Sequence, residues 1–80
     1  MGKNETVEGV EEFRRETYLW LDTLSVGRIA THFIWAGPSR SILYDYILRQ
    51  PEVRRWAIKE YIKPYLQPEQ IAKLEDFHKV

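Results

Sequence analysis

The sequence predicts an all-α fold, a compact bundle of four to five short helices with a helix-turn-helix-like corner. In each successive segment, apolar residues recur three and four positions apart, which is the spacing of one helix face. The prolines, at positions 38, 51, 64 and 68, stand between these segments, where they do not interrupt a helix. Apolar and polar residues never alternate for long and no Asn-Gly or Asp-Gly hairpin turn occurs, so no strand is predicted.

Length and composition predict a single domain over residues 1–80, with residues 1–5 frayed. A domain this small leaves much of its surface exposed, so its stability margin is thin unless it packs well or forms a homodimer. The absence of cysteine excludes disulfides and Cys-based zinc sites and favours an intracellular, cytoplasmic location. The N-terminus lacks the pattern of a signal peptide, and no apolar stretch approaches the roughly 18 residues of a membrane span, so a soluble chain without a membrane partner is expected.

Two helices are predicted before the Gly37-Pro38 break. The first covers residues 6 to 24, because acidic residues near its start favour the helix dipole and apolar residues share one face. That face consists of Val10, Phe13, Thr17, Trp20, Leu21 and Leu24. Ser25 can cap the second helix, which ends near Ala36 because Gly37 suits a C-terminal cap and Pro38 cannot continue the helix. The apolar side of the second helix carries Val26, Ile29, Ala30 and Phe33, with Ile34 as a further candidate.

Three further helices are predicted after the break. The third begins after Ser39, a good N-cap, and runs to about Arg49. Its apolar stripe is formed by Ile42, Leu43, Tyr46 and Ile47. The fourth begins with Pro51 at its first position, where proline is tolerated. Its buried side is expected to carry Val53, Trp56, Ala57, Tyr61 and either Ile58 or Ile62, and its opposite side Arg54, Arg55, Lys59 and Lys63. The last helix runs from about residue 68 to the C-terminus, with Ile71, Leu74 and either Phe77 or His78 on its apolar side.

The formal net charge is zero, but the charges are unevenly distributed along the chain. Residues 1–25 contain three basic and six acidic residues, whereas residues 26–66 contain seven basic and three acidic ones. A basic centre between acidic flanks is typical of a surface that binds nucleic acid or an acidic partner. An ordinary solvated surface is the alternative interpretation.

Residues 26–48 have the plan of a helix-turn-helix, in which one helix braces on the DNA backbone and a second enters the major groove. The string RIATHFIWAGPSRSILYDYIL resembles the DNA-binding core of TetR-type regulators, in which an Ile-Ala pair opens the bracing helix and a Leu-Tyr-x-Tyr run lies on the recognition helix. The matching residues here are Ile29-Ala30 and Leu43-Tyr44-Asp45-Tyr46, set further apart than in that family. The resemblance implies an isolated DNA-binding module.

Position along the predicted helices assigns roles in a nucleic-acid complex. Arg40 and Ser41, in the first turn of the third helix, would meet bases or phosphates, and Tyr44 lies one turn further along the same side. Phosphate neutralisation would fall to Arg28, Arg54, Arg55 and Lys59. Asp45 would be repelled by phosphate unless it pairs with a base or with Arg49, four residues on. Alternatively, the arginines form a solvated face and the tyrosines lie at the edge of the core.

The aromatic residues suggest a second class of function, a protein-interaction or inhibitory module. Three tryptophans and five tyrosines are more than so small a core readily buries, and aromatic side chains are enriched at interface centres. Trp35, beside the Gly-Pro corner, is the predicted partner-binding residue, and a lid over the core is its alternative role. Trp20 and Trp56 are in phase with apolar neighbours and are expected in the core. The acidic first helix could also imitate nucleic acid or engage a basic protein.

The sequence does not predict an enzyme. His32 and His78 are far apart and neither belongs to a cluster with metal-ligand spacing, so no metal site or cofactor is expected. Ser25, Ser39 and Ser41 are explained by helix starts, and the isolated glycines do not form a phosphate-binding loop.

Overall fold

Five α-helices account for most of residues 3–76, the part of the chain that the computed structural model describes, with side chains described from residue 9 onward. No strand occurs among these residues, so the predicted all-α class is confirmed. The helices are α1 (Lys3–Asp22), α2 (Val26–Ile34), α3 (Arg40–Leu48), α4 (Glu52–Ile62) and α5 (Pro68–Leu74). One-turn 3-10 helices at Gly37–Ser39 and Lys63–Tyr65 precede α3 and follow α4.

The core lies mainly between α2 and α4, which pack along each other, with α3 and α5 closing it. Its apolar side chains come from all five helices and the loop before α5. They are Leu21, Ile29, Ala30, Phe33, Leu43, Tyr46, Ile47, Ile58, Ile62, Leu66 and Leu74. The predicted stripe of the third helix is therefore confirmed for three residues, and its fourth, Ile42, is partly buried.

The corner between α2 and α3 follows from local chemistry at both helix ends. Ser25 caps α2 as predicted, with its hydroxyl accepting from the Arg28 backbone N–H at 3.2 Å. Gly37 turns the chain with a φ of +62°, a left-handed conformation that favours glycine. The predicted capping role of Ser39 is wrong, because its side chain makes no cap hydrogen bond. Ser39 already belongs to the 3-10 turn, with φ −80° and ψ 1°, whereas a capping serine has extended backbone.

The buried side of α4 differs in part from the predicted one, although Ile58 and Ile62, the two alternatives named for it, are both buried. Val53 is 82% exposed and Trp56 and Tyr61 are also exposed, while Ile58, Lys59 and Ile62 are buried. Both sides of this helix satisfy helical spacing, and the position of α2 decides which one is covered. Pro51 is the residue before the helix rather than its first residue.

Residues 9–16 of α1 project from the rest of the described structure. Every residue from 9 to 16 is exposed, and the radius of gyration of 13.7 Å exceeds the value of about 12 Å expected for a chain of this length. The second half is held by buried Leu21 and by two hydrogen bonds to α3, from Tyr18 to Asp45 at 2.5 Å and from Tyr46 to Asp22 at 2.7 Å. The prediction that Trp20 lies in the core is wrong, because its partner surface is the edge of α2 rather than a closed core.

Both chain ends differ from the predicted helix bounds. The first helix already begins at Lys3, and the part of the predicted fraying that concerns residues 1–2 lies outside the described residues. The last helix ends at Leu74, short of the predicted C-terminal residue. Phe77 and His78, proposed for its apolar side, also lie outside the described residues. Within residues 3–76, no helix is long and apolar enough to cross a membrane.

Candidate interaction surface

Arg40, one of the predicted nucleic-acid contacts, folds back onto the end of α2. Its Nε donates to the Phe33 carbonyl at 3.1 Å and its Nη2 donates to the Ile34 carbonyl at 2.7 Å. The guanidinium carbon lies 5.0 Å from the centre of the Phe33 ring. The last carbonyls of a helix have no partner within the helix, and they carry its partial negative charge. Arg40 therefore acts as a C-terminal cap for α2.

Arg54 caps the end of α1 in the same way. Its Nη2 lies 3.4 Å from the carbonyl oxygens of both Leu21 and Leu24, and it donates to the Tyr46 hydroxyl at 3.1 Å. Its Nε donates to the Gln50 side chain at 2.9 Å. Arg54 thus ties α4 to the α1–α2 junction and to α3.

Arg55 joins the ends of α3 and α5. Its Nε donates to the Leu74 carbonyl at 2.8 Å, and its Nη1 donates to the carbonyls of Leu48 and Gln50, both at 3.3 Å. Its Nη2 reaches the Asp76 carbonyl at 3.5 Å. Three of the predicted phosphate or base contacts, Arg40, Arg54 and Arg55, therefore serve the C-terminal ends of four helices.

Lys59 is not on a solvated face, as the sequence had suggested, but is only 2% exposed. Its Nζ contacts a Glu75 oxygen at 2.7 Å and a Glu60 oxygen at 3.1 Å, and it lies 4.1 Å from the centre of the Trp56 ring. The hydrogen bond that Lys59 donates to Glu75 is the main cause that raises the pKa of Lys59 above its usual value, against the opposing effect of burial. The buried ammonium group thus links α4 to Glu75, the residue after α5.

The remaining predicted nucleic-acid contacts are divided between surface and interior. Arg28 and Ser41 are exposed. Tyr44 is partly buried and its hydroxyl donates to the Gln70 carbonyl of α5 at 3.0 Å, and burial raises its pKa. Ser41 is the one exposed residue between positions 40 and 48, so α3 exposes little surface to a partner such as a DNA groove.

A hydrogen-bonded network joins α1 to α3 around Asp45. Asp45 pairs with Arg49 at 3.3 Å, one of the two alternatives considered for it, and accepts from the Tyr18 hydroxyl. The Tyr18 hydrogen bond is the main cause that lowers the pKa of Asp45. Burial, followed by the hydrogen bond to Asp45, raises the pKa of Tyr18, and burial likewise raises the pKa of Tyr46.

These shifts predict a loss of stability at both extremes of pH. Because the pKa of Asp45 is lowered, its contribution to stability is present above the ordinary value of 3.8 and is lost as the pH falls. Because the pKa of Tyr18 is raised, its contribution is present below 10.0 and is lost as the pH rises. We expect Tyr18→Phe to lower the free energy of unfolding at neutral pH by about 1 kcal/mol. The free energy of unfolding should also change less with pH in the variant, both on the acid limb and on the alkaline limb of the curve. Urea unfolding measured from acid to alkaline pH checks this. If Tyr18→Phe leaves the acid limb unchanged, the Tyr18–Asp45 bond does not set that limb. Tyr61→Phe, at an exposed position, should leave the neutral-pH stability unchanged.

An open groove of about 440 Å³ lies between α1, the end of α2 and the start of α3. Its walls are mostly apolar and aromatic side chains. They are Phe13, Thr17, Trp20, His32, Trp35, Ala36, Ser39, Ile42 and Leu43. The Trp20 and His32 rings meet edge to face, with their centres 4.8 Å apart.

Large aromatic side chains around this groove remain in contact with solvent. Trp35 is 82% exposed, Phe13 59% and Trp20 47%. Trp35 occupies the C-cap position of α2, immediately before the turn at Gly37, where no other helix covers it. The proposed lid role of Trp35 is therefore wrong, and the residue is available to a partner.

Sequence reasoning identified Trp35 but assigned Phe13 and Trp20 to a core. Their spacing is that of a buried helix face, and spacing alone does not reveal whether another helix covers it. The signal that could have shown that some of these residues stay exposed was the number of large aromatic residues in a chain of 80 residues. Within residues 3–76, no group of three or more His, Asp or Glu residues could hold a metal ion.

Comparison with known proteins does not assign the chain to a family. No family model, no curated protein and no solved structure matches it.

Proposed function

We propose that the protein is a non-enzymatic interaction domain that binds an apolar protein segment in the groove beside α1. The observation that carries the proposal is the convergence of Phe13, Trp20 and Trp35, all solvent-exposed, on one concavity. Exposed apolar patches of this kind mark interaction sites, and tryptophan is enriched among the residues that dominate binding energy.

The shape of the groove favours an amphipathic helix as the bound segment. The side chains of α1 that line it run from Phe13 to Trp20, a length of about 10 Å, or two helical turns. A helix laid into such a groove presents anchors at positions i, i+3, i+4 and i+7. The indole of Trp35 and the side chain of Ile42 offer the opposite wall.

Nucleic-acid binding stays a prediction, and the side-chain contacts favour the interaction domain over it. Phosphate binding depends on basic groups that are available to the ligand. Arg40, Arg54 and Arg55 instead direct several of their N–H groups at helix-end carbonyls. Arg28 is the one exposed basic residue among the predicted contacts.

Selection of helical peptides displayed on phage tests the proposal. Peptides enriched on the wild-type protein should carry apolar residues at helical spacing, and Phe13→Ser should weaken their binding at least about tenfold because an anchor wall is lost. Leu19→Ser is the matched control, because Leu19 is also on α1 and equally exposed, at 60%, but lies outside the groove. It should bind the peptides like the wild type.

Equal losses in the two variants would contradict the groove as the binding site. Titration with duplex and single-stranded DNA at low and high salt provides the second arm. Salt-dependent binding that Arg28→Ala weakens and Phe13→Ser leaves intact would favour the nucleic-acid function instead.

A further inference from the structure

We infer that the segment received by the groove is α1 of a second copy of this chain, so that two copies form a symmetric dimer. This inference rests on the proposed function of the groove and names its occupant. Four features of the described residues support it: an uncovered helix, a self-complementary face, the apolar area and the distribution of charge.

Residues 9–16 of α1 lack a covering partner among the described residues of one copy. Residues 9–16 are all exposed, although the stripe of Val10, Phe13, Thr17 and Trp20 has the regular three-and-four spacing of a helix seam. A free helical segment this short is marginal in water, and most helical stability in proteins comes from packing of the apolar face. A second helix on this stripe would supply that packing.

The same face carries both a ridge and a groove. Phe13 belongs to both, because it lies on the exposed segment 9–16 of α1 and also lines the groove. A two-fold interface requires a self-complementary surface, since each copy presents the same residues. Two antiparallel α1 helices crossing between residues 13 and 17 would set Val10 against Trp20 and Phe13 against Thr17, so that a small side chain opposes a large one at each layer.

The exposed apolar area is sufficient for a dimer of ordinary size. The uncovered parts of Val10, Phe13, Trp20 and Trp35 together offer on the order of 500 Å² per copy. A standard interface buries about 800 Å² per partner, and its rim is polar. These four side chains would therefore form more than half of it before any rim residue is counted.

The charges favour a second copy over an unrelated apolar segment. Glu12 and Glu16 are exposed and flank the apolar stripe of α1. Arg28 is exposed on α2, one helical turn before His32 of the groove. Across the whole chain, residues 1–25 are predominantly acidic and residues 26–66 predominantly basic. In a two-fold dimer, Glu12 and Glu16 of each copy approach Arg28 of the other, and this complementarity occurs twice.

Sedimentation equilibrium of the full chain, from about 1 µM to about 1 mM, tests the inference. The wild type should show a reversible monomer–dimer equilibrium, with far-UV helicity that falls on dilution as α1 loses its cover. Phe13→Ser and Trp35→Ala should each raise the dissociation constant at least about tenfold. Leu19→Ser should leave it unchanged. Trp35→Ala provides a variant that keeps the core intact, because Trp35 is not part of it.

A wild-type protein that stays monomeric over this range overturns the inference. A dimer that both Phe13→Ser and Trp35→Ala leave intact also overturns it, because the contact then lies elsewhere. The peptide selection separates the two proposals. A monomer whose Phe13 is needed for peptide binding leaves the interaction function standing without the second copy, whereas a monomer with no such binding contradicts both.

Discussion

Arg55→Ala is expected to lower the free energy of unfolding by about 3 kcal/mol, because one guanidinium serves the ends of two helices. Its removal leaves the carbonyls of Leu74 and Leu48 without their charged donor, and the contact from α4 to the end of α5 is lost with it. Partly buried carbonyls at a helix end that lose their partner raise the free energy of the folded state. Hydrogen bonds to a charged donor are also stronger than those between neutral groups. Urea unfolding followed by circular dichroism measures the loss.

Two further variants make the Arg55 experiment specific. Arg49→Ala removes another arginine of the same region, whose side chain is 62% exposed and paired with Asp45 on its own helix, and should cost about 0.5 kcal/mol. Arg55→Lys should recover only part of the loss, because an ammonium group cannot reproduce the planar fork that reaches several carbonyls. If Arg55→Ala and Arg49→Ala cost the same, Arg55 does not hold α3 and α5 together.

Glu75→Gln is expected to destabilise the fold by about 2 kcal/mol, more than replacement of its buried partner Lys59 by methionine. Loss of the Glu75 carboxylate leaves a buried ammonium group with the longer contact to Glu60 and the contact to the Trp56 ring. Lys59→Met removes the buried charge itself and keeps the length of the side chain, while Glu75 and Glu60 can be hydrated. Its cost should therefore stay below about 1 kcal/mol.

The double variant Lys59→Met with Glu75→Gln decides how the pair works. It should be about as stable as Lys59→Met alone, since the amide no longer leaves a charge uncompensated. Thermal and urea unfolding of the wild type, the two single variants and the double variant together form a double-mutant cycle. Additive losses would show that the two side chains do not interact in the folded protein.

Much of the fold could be predicted from local sequence. The Ser25 cap, the end of α2 before Gly37 and the stripe of α3 follow from the residue itself or from neighbours within one or two turns. The Asp45–Arg49 pair, four residues apart on α3, is of the same kind. The structure confirms each of these because the physical causes act over a few residues.

The candidate site was only partly predictable. Trp35 could be recognised from its place beside the Gly-Pro corner, but Phe13 and Trp20 could not be separated from core residues of the same spacing. The basic residues were misplaced for a related reason. Arg54 lies 33 residues after the Leu21 carbonyl that it contacts, and no short-range pattern in the sequence records that distance.

The sequence by itself determined the all-α class, the approximate positions of the helices between Ser25 and Leu74 and the cap at Ser25. Only the tertiary structure decided which side of α4 is buried, which carbonyls the arginines serve and which aromatic residues stay exposed around the groove. The physical reason is one of range. Dihedral preferences and capping are set by adjacent residues, whereas burial and helix-end contacts depend on which distant segments pack together.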